Sequence, residues 1–353
     1  MCDDAKCILQ TAENVAPIRF VRVLVVGAVV VSRRHRKYLF ACTMPDACLA
    51  KTFFMSAAKD PVLHLNLDDA WGNEVTSRFQ TRDLRNWGPR LRFSAPTREI
   101  ERFATEQLDK LPRFLIFGSG DFHHLTALWL RRLIGRTTLV SFDNHPDWDI
   151  RPPRWSCGAW VNRALDLPQI NKVSVWGCGN FECWWPMRIF GNNLAEKSGR
   201  LEVHPWADDR KAKDQRRRGA IVRLDWRAKF EDFVASLRGA DIYVTIDLDC
   251  LTLAEAVTNW ESGRFTLEDL AWAVDLLASN CRIVAGDICG AWSTPRYARG
   301  KQRFASEMDH PKLTLPEPAE IRRRNHHALE RLLPVLTHRN QDDAGADHER
   351  TDR

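Results

Sequence analysis

The sequence predicts an α/β fold with three α/β/α layers, in which a central parallel sheet lies between helices on both of its faces. Strand-like and helical patterns alternate along the chain from residue 62 onward, and strands that are joined by helical crossovers form parallel sheets. Residues 283–286 are apolar throughout, as expected of a parallel strand that is buried on both faces. Polar residues gather where several predicted strands end, which is typical of the ligand-binding edge of such a sheet.

Each element has a local pattern that predicts it. Alternating apolar residues predict a strand at 62–67, and the apolar run at 114–118 predicts a second strand, which a glycine turn connects to a helix at 122–135. The same periodicities predict the remaining elements: strands at 137–143, 173–178, 241–247 and 282–287, and helices at 228–238, 266–278 and 317–335.

The distribution of these elements predicts how the chain is divided. All of them fall within residues 61–338, so we predict one catalytic domain there. Residues 1–60 carry no motif and are predicted to be an N-terminal extension of unknown role. The segment at 339–353 is polar and charged, which favours a disordered tail.

Composition favours a cytoplasmic protein that binds neither nucleic acid nor membrane. The net charge of the 353 residues is only +6, and the basic clusters at 33–37 and 211–218 are typical of a solvated surface because aromatic residues do not alternate with the charges. The ten cysteines contain no C-x-x-C pair, which favours a reducing compartment. The apolar run at 20–31 is too short to span a bilayer.

The first chemical motif follows the predicted strand at 137–143. Asp143, His145 and Asp147 occupy alternate positions directly after its apolar residues. Side chains at i, i+2 and i+4 of an extended chain share one face. These three side chains can therefore converge on one point, as the ligands of a metal ion would.

Two further motifs lie at strand ends of the same kind. Asp247 and Asp249 follow the β-branched run at 241–246, and a glycine turn after the strand at 114–118 leads to His123 and His124. Carboxylates at neighbouring strand ends would repel one another unless a cation lay between them. Carboxylate oxygens together with imidazole nitrogens suit a divalent ion such as Mn²⁺.

The three motifs, in this order and spacing, resemble the signatures of the arginase and agmatinase (ureohydrolase) superfamily. The resemblance covers residues 62–333, and it implies an arginase-like fold with two manganese ions, Mn²⁺, per chain. It further implies that Asp143 and Asp247 bridge the two ions, whose ligands would be His123, Asp143, Asp147 and Asp247 for one ion, and Asp143, His145, Asp247 and Asp249 for the other. Because Phe122 interrupts the family's Gly-Asp-His turn, His124 is the alternative to His123.

The resemblance also implies a reaction. A metal-bridging hydroxide, oriented by Asp143 and Asp247, would attack a C–N bond of a small guanidino, amidino or formimino substrate. The resemblance allows a homo-oligomer. Two alternatives stay open: a metal-dependent amide deacetylase on the same fold, which would typically keep one metal ion, and a non-catalytic metal-stabilised binding protein.

The chain departs from the family pattern on the substrate side. Cys157 stands where the family has a histidine thought to shuttle protons, and a thiol is a poorer shuttle at neutral pH. A packing role is the alternative for Cys157. Asp269, with Glu268 beside it, stands where the family has a substrate-binding Glu, and the alternative for both is a favourable charge at a helix start. Trp260, in the loop before that helix, is a candidate wall of the substrate pocket.

Overall fold

Residues 62–109 and 111–338 are described in the computed structural model of the protein, and they contain one eight-stranded sheet. The strands have these bounds: β1 Val62–Asn66, β2 Gln80–Asp83, β3 Phe114–Phe117, β4 Thr137–Phe142, β5 Ile170–Cys178, β6 Leu201–Pro205, β7 Asp241–Asp247 and β8 Arg282–Cys289. They lie in the order β2-β1-β3-β8-β7-β4-β5-β6, and every neighbouring pair is parallel.

Helices connect the strands, as parallel pairing requires. The α-helices have these bounds: α1 Gly72–Arg78, α2 Gly88–Leu91, α3 Thr97–Gln107, α4 Thr126–Trp129, α5 Trp160–Leu165, α6 Asn193–Ser198, α7 Ala212–Gln215, α8 Trp226–Ser236, α9 Leu267–Asn280, α10 Gly300–Asp309 and α11 Pro318–Leu336. Short 3₁₀ helices lie among them, at Gly120–Leu125, Leu130–Arg132, Cys157–Ala159, Phe181–Cys183, Met187–Phe190 and Leu248–Cys250.

Alternate residues of the central strands enter two separate cores, one on each face of the sheet. In β7, Tyr243 packs in the core that includes α3, α4 and α5, whereas Ile242 and Val244 pack in the core that includes α8, α9 and α11. A sheet covered on both faces buries its central strands, and every residue of β4 is buried. The three-layer α/β/α fold predicted from the sequence is confirmed.

The predicted strands all exist, and the sheet has two more. The strands missed by the sequence patterns are β2 and β6, which form the two edges of the sheet. β2 reads Gln-Thr-Arg-Asp and has no apolar residue, because an edge strand needs less burial than a central one. Apolar periodicity therefore cannot detect it.

The continuous helix predicted at 122–135 is wrong in detail. The segment consists of the 3₁₀ helix Gly120–Leu125, the short helix α4 and the 3₁₀ helix Leu130–Arg132. Side-chain hydrogen bonds tie it to the sheet, His123 to Thr245 and Thr126 to Asp287. The tighter 3₁₀ winding is common where tertiary contacts of this kind fix a short helical segment.

The N-terminal extension predicted at 1–60 and the tail predicted at 339–353 lie outside the described residues. Among the helices of the described ranges, none is long and apolar enough to cross a bilayer. The strands β3, β8, β7 and β4 are neighbours in the sheet, and the chemical motifs follow the carboxyl ends of β3, β7 and β4. These four strand ends therefore form the edge at which the candidate site lies.

Candidate metal centre

The fold brings the three sequence motifs together at this edge. Asp143 directly follows β4, Asp247 is the last residue of β7, and Asp249 lies in the 3₁₀ helix Leu248–Cys250. His123 comes from the 3₁₀ helix Gly120–Leu125, which follows β3. Because β4 and β7 are hydrogen-bonded neighbours, their terminal carboxylates lie side by side.

One group of side chains surrounds the Nδ1 atom of His123. This nitrogen lies 3.0 Å from Oδ2 of Asp143, 3.5 Å from Oδ2 of Asp147 and 3.5 Å from Oδ2 of Asp247. All four residues are buried. Their donor atoms can serve one metal ion, since those of His123, Asp143 and Asp147 lie within 4.8 Å of one another.

A second group forms around His145. Its Nδ1 atom lies 2.8 Å from Oδ2 of Asp249 and 3.7 Å from Oδ1 of Asp143. The donor atoms of Asp143, His145 and Asp249 also lie within 4.8 Å of one another. Asp143 therefore presents one oxygen to each group, which is the arrangement that a bridging carboxylate requires.

Local backbone contacts hold the carboxylates in place. Asp143 accepts a hydrogen bond from the backbone N–H of His145, at 2.7 Å, and Asp249 accepts one from the N–H of Asn144, at 2.9 Å. Asp147 has φ of 46°, a left-handed conformation that Asp tolerates better than most residues. Its Oδ2 accepts a hydrogen bond from the indole N–H of Trp160 at 2.5 Å.

Without metal ions, the electrostatics of this cluster favour the protonated forms of the side chains that could bind cations. Burial, and then the neighbouring carboxylates, raise the pKa of Asp147 and Asp247 well above the usual range, and they raise that of Asp249 to about 6. Burial acts to lower the pKa of His123, but the carboxylates of Asp143, Asp247 and Asp147 together outweigh it and raise the value to about 10. Such a cluster carries more negative charge than its own groups can balance.

The residues present fit divalent metal ions. Nδ1 of His123 and Oδ2 of Asp143 are buried and make no well-aligned hydrogen bond among the described residues, although such atoms are normally satisfied in a folded protein. They face each other across 3.0 Å. Oxygen-rich donor sets with imidazole suit Mn²⁺ better than thiolate-preferring ions.

The structure brings His123, and not His124, to the carboxylates. His124 is fully buried, and burial lowers its pKa to about 3. It belongs to none of the candidate ligand groups among the described residues. Sequence analysis did not identify Cys289, which forms a further group with His123 and Asp247 and lies opposite Asp247 in the β7–β8 register. Its only sequence signal is its position at the end of an apolar run.

The other residues predicted on the substrate side lie in two different places. Cys157 and Trp260 line a cavity of about 220 Å³ together with the carboxylates of the centre. Asp269 instead caps its own helix through Thr266 and forms ion pairs with two arginines, and exposed Glu268 pairs with Arg331. Neither residue lines the cavity. The structure therefore favours the alternative role for Asp269 and Glu268, as charges at the start of a helix, over the predicted substrate contacts.

Cys157 and Trp260 form part of an aromatic wall. Both pack with Phe93, and the ring of Trp260 lies edge-on to His145 at a centroid distance of 5.1 Å. Trp260 also stacks on His310, at a centroid distance of 4.2 Å. Burial raises the pKa of the Cys157 thiol well above its usual value, so this thiol is poorly suited to carry protons at neutral pH.

Three acidic residues that the sequence patterns did not identify complete the cavity. Glu182, Glu261 and Asp309 come from three separate segments, and no Lys or Arg lines this cavity in the described part of the chain. Burial raises the pKa of Glu182 to about 7. Glu261 accepts a hydrogen bond from Nε2 of His145, at 3.3 Å, and this bond lowers the pKa of Glu261.

Comparison with solved structures identifies the architecture. A candidate agmatinase from Clostridium difficile superposes with a TM-score of 0.51 over 79% of this chain and 97% of its own, at 15% identity. The chain has the arginase-like fold. Similar coverage is found for the proclavaminate amidino hydrolase of Streptomyces clavuligerus, with a TM-score of 0.48 over 79% of this chain and 93% of its own at 14% identity. The formimidoylglutamase of Bacillus subtilis gives 0.48 over 81% and 90%, also at 14% identity.

Sequence comparison adds one relative. No protein-family profile matches the chain. An uncharacterized protein of Thermotoga maritima is 30% identical over 174 residues, which are 49% of this chain and 55% of that protein. The chain thus spans about half the length of the curated relative it matches. At identities this low, similarity to the solved structures establishes only the fold. The chemistry therefore has to follow from the site itself.

Proposed function

We propose that this protein is a binuclear, manganese-dependent hydrolase that cleaves a C–N bond of a small guanidino, amidino or formimino substrate. The observation that supports this function is the convergence of six buried side chains on two groups that share Asp143. The candidate agmatinase that shares the fold is in keeping with this substrate class.

The metal ligands would be those named from the sequence. His123, Asp143, Asp147 and Asp247 would hold one ion, as their distances allow. Asp143, His145 and Asp249 would hold the other, together with Asp247 as the resemblance implies. When bound, two such ions supply Lewis-acid polarisation and lower the pKa of water enough to make it a nucleophile at neutral pH. The two metal ions would then balance the negative charge of the carboxylates, which bound protons would balance in the metal-free protein.

The cavity wall would bind and orient the substrate. Trp260 and Phe181 both line it, and the exposed ring of Phe181 offers a face against which a planar guanidinium group can stack. Glu182, Glu261 and Asp309 place negative charge at the same opening. We therefore propose that the preferred substrate is cationic and has no carboxylate near the reacting group, because like charges brought together in a narrow cavity are costly.

Proton transfer would fall to a carboxyl rather than to Cys157. Glu182 lines the cavity, and its pKa is raised by burial to about 7, which is the range in which a general acid or base works best at neutral pH. The Cys157 thiol stays protonated at this pH because burial raises its pKa. The proton shuttle would then be Glu182, and not the residue at the position of Cys157 that the resemblance implied.

The test is a product assay on the full chain after reconstitution with Mn²⁺. Guanidino, amidino and formimino compounds should release urea, ammonia or formamide, and Asp143→Ala should abolish the release without changing the circular dichroism spectrum. Thr138→Val, a buried change away from the cavity, is the matched control and should keep full activity. Release of acetate from acetylated amines, with no cleavage of any guanidino or formimino compound, would contradict the proposal and favour a deacetylase.

A further inference from the structure

A chain of buried hydrogen bonds runs from His123 away from the metal centre. The Nε2 atom of His123 lies 2.9 Å from Oγ1 of Thr245, and this oxygen lies 2.5 Å from Oδ1 of Asp287. Each of the three residues is at most 1% exposed. Thr245 and Asp287 are register partners in the β7–β8 pair, so the sheet itself fixes their separation.

Three hydroxyl groups surround the Asp287 carboxylate. Besides Thr245, Tyr243 donates to Oδ2 at 2.5 Å and Thr126 donates to the same oxygen at 3.1 Å. Thr126 lies three residues after His123, and the Gly120–Leu125 turn that carries His123 leads directly into α4. Asp287 therefore anchors both the imidazole of His123, through Thr245, and the backbone segment that delivers it.

The donors and acceptors in this chain have only one arrangement that satisfies every hydroxyl. A carboxylate accepts, and each hydroxyl has a single hydrogen to donate. If Thr245 gives its hydrogen to Asp287, its lone pair must accept the hydrogen of Nε2 of His123. In the neutral imidazole that binds a metal ion, the lone pair is then on the other ring nitrogen, Nδ1, and it is this atom that faces Asp143, Asp147 and Asp247.

We infer that Asp287, acting through Thr245, is a positioning residue that holds His123 in the tautomer and orientation needed to coordinate a metal ion through Nδ1. The inference rests on the proposed function only in requiring that the centre binds metal. Metal-binding histidines depend on such partners at their second nitrogen, and loss of the partner typically weakens metal affinity by about 10-fold to 100-fold. A carboxylate in the interior of a central strand is otherwise costly to bury.

The test measures binding of Mn²⁺ alone to the metal-free full chain by isothermal titration calorimetry. Thr245→Val keeps the shape of the side chain and removes the hydroxyl, so it should weaken one of the two Mn²⁺ sites by about 10-fold to 100-fold and leave the other unchanged. Thr245→Ser restores the hydroxyl and should restore the affinity. Thr138→Val is the matched control, because Thr138 is a buried strand threonine whose hydroxyl bonds Asn171 instead.

A second variant guards against a purely structural effect. Asp287→Asn keeps the volume but leaves fewer acceptor positions for the three hydroxyls, and it should weaken the same Mn²⁺ site as Thr245→Val. Wild-type affinity in Thr245→Val, or equal weakening of both sites together with a lower melting temperature, would overturn the inference. Wild-type protein that binds Mn²⁺ as described but hydrolyses no C–N bond would contradict only the proposed function, and failure of the wild type to bind Mn²⁺ would overturn both.

Discussion

Asp143 is the side chain on which both ligand groups depend. Its Oδ2 lies 3.0 Å from His123 and its Oδ1 lies 3.7 Å from His145, whereas Asp147 takes part in only one candidate group. Both aspartates are buried, and they differ mainly in how many candidate groups they join. This difference separates a bridging role from a terminal one.

We expect Asp143→Ala to lose both Mn²⁺ ions and Asp147→Ala to lose mainly one. The reason is that a bridging carboxylate neutralises and holds two cations, and its removal leaves both with an incomplete donor set. Elemental analysis after reconstitution and gel filtration measures the metal content per chain. Equal metal loss in the two variants would argue against a shared Asp143 ligand.

Two glycines beside the cavity give a second prediction at the scale of single residues. A Cβ atom at Gly120 would lie 2.7 Å from Oδ2 of Asp247 and 3.1 Å from the ring of Trp260, whereas one at Gly158 would meet nothing within 4 Å. Gly120→Ala should therefore displace the Asp247 carboxylate and lower Mn²⁺ affinity, by about tenfold or more. Gly158→Ala, its matched control on the same cavity, should bind Mn²⁺ like the wild type. Calorimetric titration of both variants distinguishes these outcomes.

At the scale of single elements, β1 carries a buried titratable group far from the metal motifs. His64 is 1% exposed, its Nδ1 lies 3.2 Å from Oγ1 of Thr81 on β2, and burial lowers its pKa to about 4. A histidine with a folded pKa below its unfolded value of 6.5 favours the unfolded chain once it is protonated. Its contribution to stability is therefore complete above the unfolded pKa and is lost as pH falls toward the folded pKa.

The lowered pKa of His64 predicts how folding stability changes with pH. Between about pH 8 and about pH 5 the His64 contribution to the free energy of unfolding should fall by about 2 kcal/mol. Urea unfolding of the wild type and of His64→Gln at both pH values isolates the contribution of His64, because all other titrating groups are common to the two proteins. A pH dependence that is the same in both would show that His64 does not titrate on unfolding.

The elements also show which parts of the fold the sequence could predict. The central strands are buried on both faces, so residues 137–142 of β4 and 242–246 of β7 are all uncharged, and the aspartates that follow, Asp143 and Asp247, stand out against them. The edge strand β2 is half-exposed and polar, and periodicity cannot separate it from a loop. The helix predicted at 122–135 failed because contacts to Thr245 and Asp287 override local preference.

The candidate site likewise contains some residues that the sequence could predict and others that it could not. The six proposed ligands follow the ends of three strands, five of them at alternate positions, and the fold brings them to one edge of the sheet. Glu182, Glu261 and Asp309 come from segments with no shared pattern, and only the folded chain brings them to one cavity. Asp269 was misassigned because a carboxylate three residues after Thr266 has the same spacing whether it binds substrate or forms the capping box that the structure contains.

At the scale of the whole molecule, the charge around the cavity opposes the overall charge of the protein. The chain carries a net charge of +6, yet the cavity is lined by carboxylates, and no Lys or Arg lines it within the described ranges. Fields of this kind are focused in a cleft and attract ligands of opposite sign. Because Glu261 and Asp309 are exposed to solvent, salt should weaken this attraction.

We therefore expect free L-arginine to be a poor substrate compared with an alkylguanidine that ends in an amine. The α-carboxylate of arginine would meet Glu182 or Asp309, and like charges there should lower kcat/KM by about 10-fold to 100-fold, or roughly 1.4 to 2.7 kcal/mol of transition-state free energy. The comparison is made with the Mn²⁺-loaded full chain by measuring urea release at low and high ionic strength. Asp309→Asn should narrow the difference in kcat/KM between the two compounds. Asp209→Asn, at a residue that is also exposed but does not line the cavity, should leave that difference unchanged. Arginine hydrolysis as efficient as that of the amine would show that the acidic rim does not select the substrate.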